Sequence, residues 1–127
     1  MKKLLCLLSC LFLTGCAASG GSQSYRQVSM DAAMEMMESE QNYIILDVRT
    51  GQEFASGHIP GAINIPNESI GSQAPAGLPD KNQLSLVYCR SGNRSKQASK
   101  KLAALGYTNI VEFGGILDWP GQAETGT

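Results

Sequence analysis

Hydrophobic and polar positions divide the chain into stretches of different character. Leu4 to Leu13 is an apolar run broken only by Ser9, with Lys2 and Lys3 ahead of it. Ala17 to Ser24 is small, polar and rich in Gly and Ser. From there to Gly121, compact apolar runs alternate with amphipathic ones, and the last residues are polar again. The pattern predicts a leader over 1–15, a tether over 16–25, a folded domain over 26–121 and a tail over 122–127.

Within the domain, Ser29 is placed to cap a helix that carries Asp31 in its first turn and runs through Ala and Met to Ser39. Met34, Met36 and Met37 read as core-facing packing, since no His or Cys accompanies them. Tyr43 to Val48 is the apolar run of a buried strand. Thr50-Gly-Gln-Glu53 fits a capping box for a short helix that Gly57 stops. Ile59-Pro60-Gly61 reads as a turn, and Ala62 to Ile65 as a short strand closed by Pro66. Asn67 is placed to cap another short helix, and Gly71 to Asn82 reads mostly as loop. Leu84 to Tyr88 is a second buried strand, followed directly by Cys89. Ser95 to Leu105 reads as a helix with Ala98, Leu102 and Leu105 on one face and Gly106 as its stop. Tyr107 to Phe113 is a third strand region, ended by Gly114-Gly115. Strands alternating with helices predict an α/β domain with a parallel sheet.

The leader changes the picture of the cysteines. The ten residues from Leu4 to Leu13 rise about 15 Å as helix, half of a bilayer's hydrocarbon thickness, which is a signal-peptide core and not a span. Leu13-Thr14-Gly15-Cys16 resembles the bacterial lipobox, whose Cys receives diacylglycerol before cleavage. That likeness implies a protein anchored through Cys16 in the cell membrane or outer membrane, facing the periplasm or the extracellular space. Ala17 after the Cys is not the Asp that retains many lipoproteins at an inner membrane, which favours the outer one where there are two. Cleavage would also remove Cys6 and Cys10 and leave Cys89 as the sole free thiol. A lone thiol makes no internal disulfide, so the fold must rest on its core, which a composition of 43% hydrophobic residues allows. The formal net charge of −1 offers no support for nucleic-acid binding.

The chemistry concentrates in Cys89-Arg90-Ser91-Gly92-Asn93-Arg94-Ser95. A Cys at the carboxyl end of a buried strand lies where open parallel sheets bind ligands. The short loop with Gly92 can turn its N–H groups inward as an anion nest, and the following helix adds its positive end. Arg90 and Arg94 add full charges. Each of these favours thiolate over thiol. Between Cys89 and Leu105 there are five basic residues and no acidic one, which predicts a positive corner suited to an anionic substrate.

With these motifs, the chain resembles a single-domain rhodanese from Gln27 to Gly121. Asp47-Val48-Arg49, Glu53-Phe54 and Gly57-His58-Ile59-Pro60-Gly61-Ala62-Ile63-Asn64 are similar to the family's first signature. Cys89 to Ser95 is similar to its active-site loop, and Gly114-Gly115-Ile116-Leu117-Asp118-Trp119 to its closing motif. The resemblance implies a three-layer α/β/α domain with a central, mostly parallel sheet. It implies a sulfurtransferase in which Cys89 takes a sulfane sulfur from a small anionic donor such as thiosulfate. Cyanide or a thiol then removes that sulfur, with no cofactor or metal. Arg90 and Arg94 would bind the donor or orient the loop. Ser91, Gly92 and Asn93 would supply amides, and Ser95 would cap the helix. Asp47 and Arg49 would support the site or simply order it as a salt bridge. His58 reads as a turn-stabilising group ahead of a general base, Trp119 as a wall or core residue, and the protein as a monomer.

Two other functions stay in competition. Phosphatases of this fold resemble Cys-x5-Arg, whereas the spacing here is Cys-x4-Arg with Ser95 one position on. A sulfur-carrier or partner-binding module would use the same loop without rapid turnover.

Overall fold

The computed structural model describes residues 24–127. The predicted leader, the lipid site at Cys16 and most of the tether lie outside them. Five strands form one sheet: β1 (Arg26–Gln27), β2 (Tyr43–Asp47), β3 (Ile63–Asn64), β4 (Leu84–Cys89) and β5 (Ile110–Gly115). Their order is β1-β5-β4-β2-β3, and every pairing is parallel. The helices are α1 (Met30–Ser39), α2 (Gly51–Ser56) and α3 (Asn93–Ala104), with single 3-10 turns at Asn67–Ser69 and Ile116–Asp118.

The local signals explain most of these elements. The Ser29 side chain accepts the Ala32 N–H at 3.1 Å and starts α1. Thr50 and Glu53 make the reciprocal capping box that starts α2. β4 is buried at all six positions because it lies mid-sheet with helices on both faces. Alternate residues of β4 and β5 therefore enter two cores. One core joins Leu84, Leu86, Tyr88, Val111 and Phe113 to Ala33 of α1 and Phe54 of α2. The other joins Val87, Cys89 and Ile110 to Ala98 and Leu102 of α3. This makes the three-layer α/β/α domain. Leu86 and Leu102 have no exposed surface, and truncating such a residue to Ala typically costs about 2–5 kcal/mol.

Several expectations change on contact with tertiary structure. β1 was not foreseen, because two residues carry no periodicity and the strand exists through its pairing with Val111 and Glu112. Met36 and Met37 pack on the core as expected, but Met30 joins them in place of Met34. Asn67 is not a cap. It sits inside its 3-10 turn, where its amide donates to Gln97 and its oxygen accepts from Lys101. Helix α3 begins at Asn93, so Gly92 is its cap residue and Ser95 lies inside the first turn.

The topology positions the site. From β2 the chain passes through α2 to β3, on one side of β2 in the sheet. From β4 it passes through α3 to β5, on the other side. The connections diverge between the carboxyl ends of β2 and β4, and a crevice at such a switch point is where open α/β sheets place ligands.

Candidate active site

Cys89 ends β4 at this edge, with its side chain only 1% exposed. The loop after it turns back over the sulfur. The Gly92 N–H donates to Cys89 Sγ at 3.0 Å, and the sulfur lies 3.4 Å from the Ser95 hydroxyl. Gly92 adopts φ +112, a left-handed conformation that L side chains rarely take. This bend is what brings its amide under the sulfur. The loop is held from below by the strand β5 ending. A Cβ at Gly115 would overlap the Arg90 carbonyl and the Ser91 nitrogen. The Leu117 N–H donates to that same Arg90 carbonyl at 3.2 Å.

These contacts set the charge on sulfur. Burial is the largest single influence on the Cys89 thiol and pushes its pKa up. The Ser95 hydroxyl and the N–H groups of Ser95, Gly92 and Ser91 together outweigh burial, so the thiol lies below its ordinary range. Hydrogen bonds, more than the two arginines, favour the thiolate here.

Two acids complete the corner, and neither is near Cys89 in sequence. Glu53 binds Arg94 through both oxygens, at 2.7 and 3.0 Å. Arg94 is the main reason that the Glu53 carboxyl falls to about 2. Because Glu53 also closes the α2 capping box, it ties the starts of α2 and α3 together. Glu112, on β5, is 3% exposed. Its Oε2 accepts the Ser95 hydroxyl at 2.5 Å and the Gly114 N–H at 2.8 Å.

At the neighbouring end of β2, Asp47 and Arg49 form a buried pair at 2.7 Å. Arg49 Nε also donates to both Asp47 oxygens, and its Nη2 reaches the Gly57 carbonyl at 2.6 Å. The guanidinium lies 5.8 Å from the centre of the Tyr88 ring. Burial pulls the Arg49 pKa down, but its bonds and charge interaction with Asp47 leave it raised. Burial and the adjoining Asp47 push the Tyr88 phenol up, while its oxygen accepts the Ile59 N–H at 3.0 Å. The pair thus braces the 57–59 turn. His58 belongs to the same turn, stacked 3.7 Å from the Phe54 ring with Nδ1 2.8 Å from the Phe54 carbonyl.

Comparison with known families matches residues 29–121 to the rhodanese-like domain. The chain belongs to the rhodanese-like family. It is 38% identical over 73 residues to the thiosulfate sulfurtransferase PspE of Escherichia coli K12, covering 58% of this chain and 70% of that one. It is 35% identical over 103 residues to thiosulfate sulfurtransferase 16, chloroplastic, of Arabidopsis thaliana, covering 72% and 84%. Among solved structures, a rhodanese with anions from E. coli superimposes with a TM-score of 0.60 at 34% identity, over 66% of this chain and 99% of that one.

In this rhodanese-like site the structure gathers Cys89, Ser91, Gly92 and Ser95 around one sulfur. Arg90 and Asn93 are exposed beside it. Arg94 is engaged by Glu53, so its charge is already countered. Ser95 does not cap α3; its hydroxyl lies between Cys89 and Glu112, 3.0 Å from the Gly92 carbonyl. The expected all-positive corner is corrected by Glu53 and Glu112, which arrive from α2 and β5. Trp119 is partly buried and packs against the core.

Proposed function

We propose that the protein is a sulfurtransferase that carries sulfane sulfur as a persulfide on Cys89. The observation that supports this most is the cradled sulfur: a thiol held below its ordinary range, at the sheet's switch point, facing the Gly92 amide and the Ser95 hydroxyl. A thiolate is the nucleophile that sulfur chemistry needs, and amides that hold it will also hold a persulfide anion.

The cycle has two displacements. The Cys89 thiolate attacks the outer sulfur of thiosulfate. An S–S bond forms at Cys89, the S–S bond of thiosulfate breaks, and sulfite leaves with the electron pair. Cyanide or a thiolate then attacks the outer sulfur of the persulfide, and the Cys89 thiolate departs. Charge balances in both steps without a redox partner, metal or organic cofactor. Arg90, exposed at the loop, would attract the anionic donor, and Arg94 would hold the loop through Glu53. Asp47 and Arg49 would support the site from behind the 57–59 turn.

Incubation with thiosulfate and cyanide should release thiocyanate, and Cys89→Ser should abolish the release. Faster turnover of a small aryl phosphate than of thiosulfate would overturn the reading in favour of a phosphatase. Efficient uptake from protein or glutathione persulfides, with negligible thiosulfate turnover, would make the protein a carrier.

The lipobox supports attachment of the mature chain to a membrane through Cys16, with the domain on the extracytoplasmic side. Two acyl chains give stable anchoring where one is marginal, each buried methylene contributing about 0.8 kcal/mol. Cys16→Ser should release the protein from the membrane fraction or leave it unprocessed. Wild-type protein in the cytosolic fraction with residues 1–15 retained would contradict this placement.

A further inference from the structure

Glu112 is a buried carboxylate in an unusual position. It lies on the α3 face of β5, beside Val87 in register, and is 3% exposed. Among the described residues it has no salt-bridge partner. The groups around it have been drawn elsewhere. On α3, Arg94 binds Glu53, Lys101 binds Asn67, and Lys96 and Lys100 are exposed. On β1, Arg26 is exposed and turned to Asn109. On α1, Asp31 and Glu35 are exposed. On β4, Tyr88 belongs to the opposite core and Cys89 to this one, which also holds Tyr107, whose hydroxyl donates to the Leu78 carbonyl, and has Tyr25 packed against it. Its Oε2 accepts only neutral donors, the Ser95 hydroxyl and the Gly114 N–H, and a buried carboxylate with no cation beside it can take up a proton from a source within reach.

The source is two bonds away. The Cys89 thiol is 3.4 Å from Ser95 Oγ, and Ser95 Oγ is 2.5 Å from Glu112 Oε2. The serine has a single hydroxyl proton, and its shortest contact is to Glu112. With that proton directed to the carboxylate, the oxygen's lone pairs remain open to the thiol.

We propose that Glu112 holds the proton of Cys89 by relay through Ser95, as a positioning residue for the sulfur chemistry. The S–H bond breaks as its proton passes to Ser95 Oγ. The Ser95 O–H proton passes to Glu112 Oε2 in the same movement. The electron pair stays on Sγ, the serine is again a neutral hydroxyl, and Glu112 ends as a neutral carboxylic acid. Negative charge has moved from carboxylate to sulfur with no proton lost to solvent. The Ser95 hydroxyl then donates to the thiolate, and the Glu112 O–H donates to Ser95. When Cys89 departs from its persulfide, the same chain can return the proton.

The role of this relay in sulfur transfer rests on Cys89 being the nucleophile, but its test does not. Two groups that share a proton titrate as a pair, in two macroscopic steps. The thiolate's ultraviolet absorbance, taken as the difference between the full chain and its Cys89→Ser variant, should rise in two steps with pH. Glu112→Gln keeps the size and an acceptor for Ser95 but cannot take a proton, so it should leave one step. Ser95→Ala should also leave one step, by removing the bridge while retaining both acids. A single step in the wild type, unchanged in Glu112→Gln, would overturn the relay. So would a single step in both whose midpoint falls in Glu112→Gln, which would make Glu112 only a charge opposing the thiolate. Loss of thiocyanate release with the two-step titration intact would instead count against the sulfurtransferase reading alone.

Discussion

The carboxyl ends of β2 and β4 lie side by side, and they treat charge in opposite ways. At β2, Asp47 and Arg49 hold each other in a buried, multiply bonded pair, and Arg49 Nη2 also donates to the Gly57 carbonyl. At β4, the sulfur is held by neutral donors, and the nearest buried carboxylate has a hydroxyl and an amide in place of a cation. An ion pair bonded in this way braces the fold. A thiol facing an open carboxylate through one hydroxyl has a proton to move.

The largest expected effect breaks the closed side. Asp47→Ala leaves the Arg49 charge buried and unpaired, which should cost about 3–5 kcal/mol of stability by chemical denaturation. The rate per folded molecule should change much less. A large loss of rate without loss of stability would put Asp47 in the chemistry and erase the contrast.

On the open side the rate per folded molecule is the quantity that should fall most clearly. Gly115→Ala forces the backbone of Arg90 and Ser91 out of place, moving the amide cradle and the sulfur together. A misplacement of this kind is worth about a hundredfold in kcat/KM for thiosulfate per folded molecule, and because the overlap is with backbone the variant also loses stability. Wild-type kinetics in this variant would show that the loop geometry is not what activates Cys89.

Arg94 sharpens the comparison, because it is a cation on the open side that has been closed by Glu53. Arg94→Ala should lower kcat/KM for thiosulfate by about tenfold, or about 1.4 kcal/mol. Alkylation of Cys89 by a neutral reagent should fall less, since hydrogen bonds set the thiol's pKa more than Arg94 does. Equal losses in both reactions would assign Arg94 to the state of the thiol.

The smallest effect is in acid. Glu53 titrates at about 2 in the folded chain, below its ordinary value of 4.5. Its contribution is therefore present above pH 4.5 and lost as pH falls toward about 2. With both side chains partly open to solvent, the contribution is about 1 kcal/mol or less. Glu53→Gln should flatten this part of the stability profile, as followed by urea denaturation across the range.

What could be read from the sequence was what neighbours in the chain decide. The cap at Ser29, the box at Thr50 and Glu53, the buried run before Cys89 and the Gly-bearing loop after it are each local, and each is found in the fold. The missing parts are contacts between distant segments. β1 exists because β5 is there to pair with. Ser95 looked like a cap because a Ser ahead of an amphipathic run ordinarily is one, yet α3 begins earlier and frees its hydroxyl. The corner looked wholly basic because its acids come from elsewhere: Glu53 is 41 residues from Arg94, and Glu112 is 17 from Ser95. An acidic residue inside an otherwise apolar run, Ile110-Val111-Glu112-Phe113, was the one available sign that β5 carries something besides core.

The most direct test is the intact mass of the protein after thiosulfate. Cys89 as the sulfur carrier predicts a gain of one sulfur, mapped to the peptide containing Cys89, removed by cyanide and absent in Cys89→Ser. Sulfur found on another residue, or thiocyanate release by Cys89→Ser at the wild-type rate, would contradict the account.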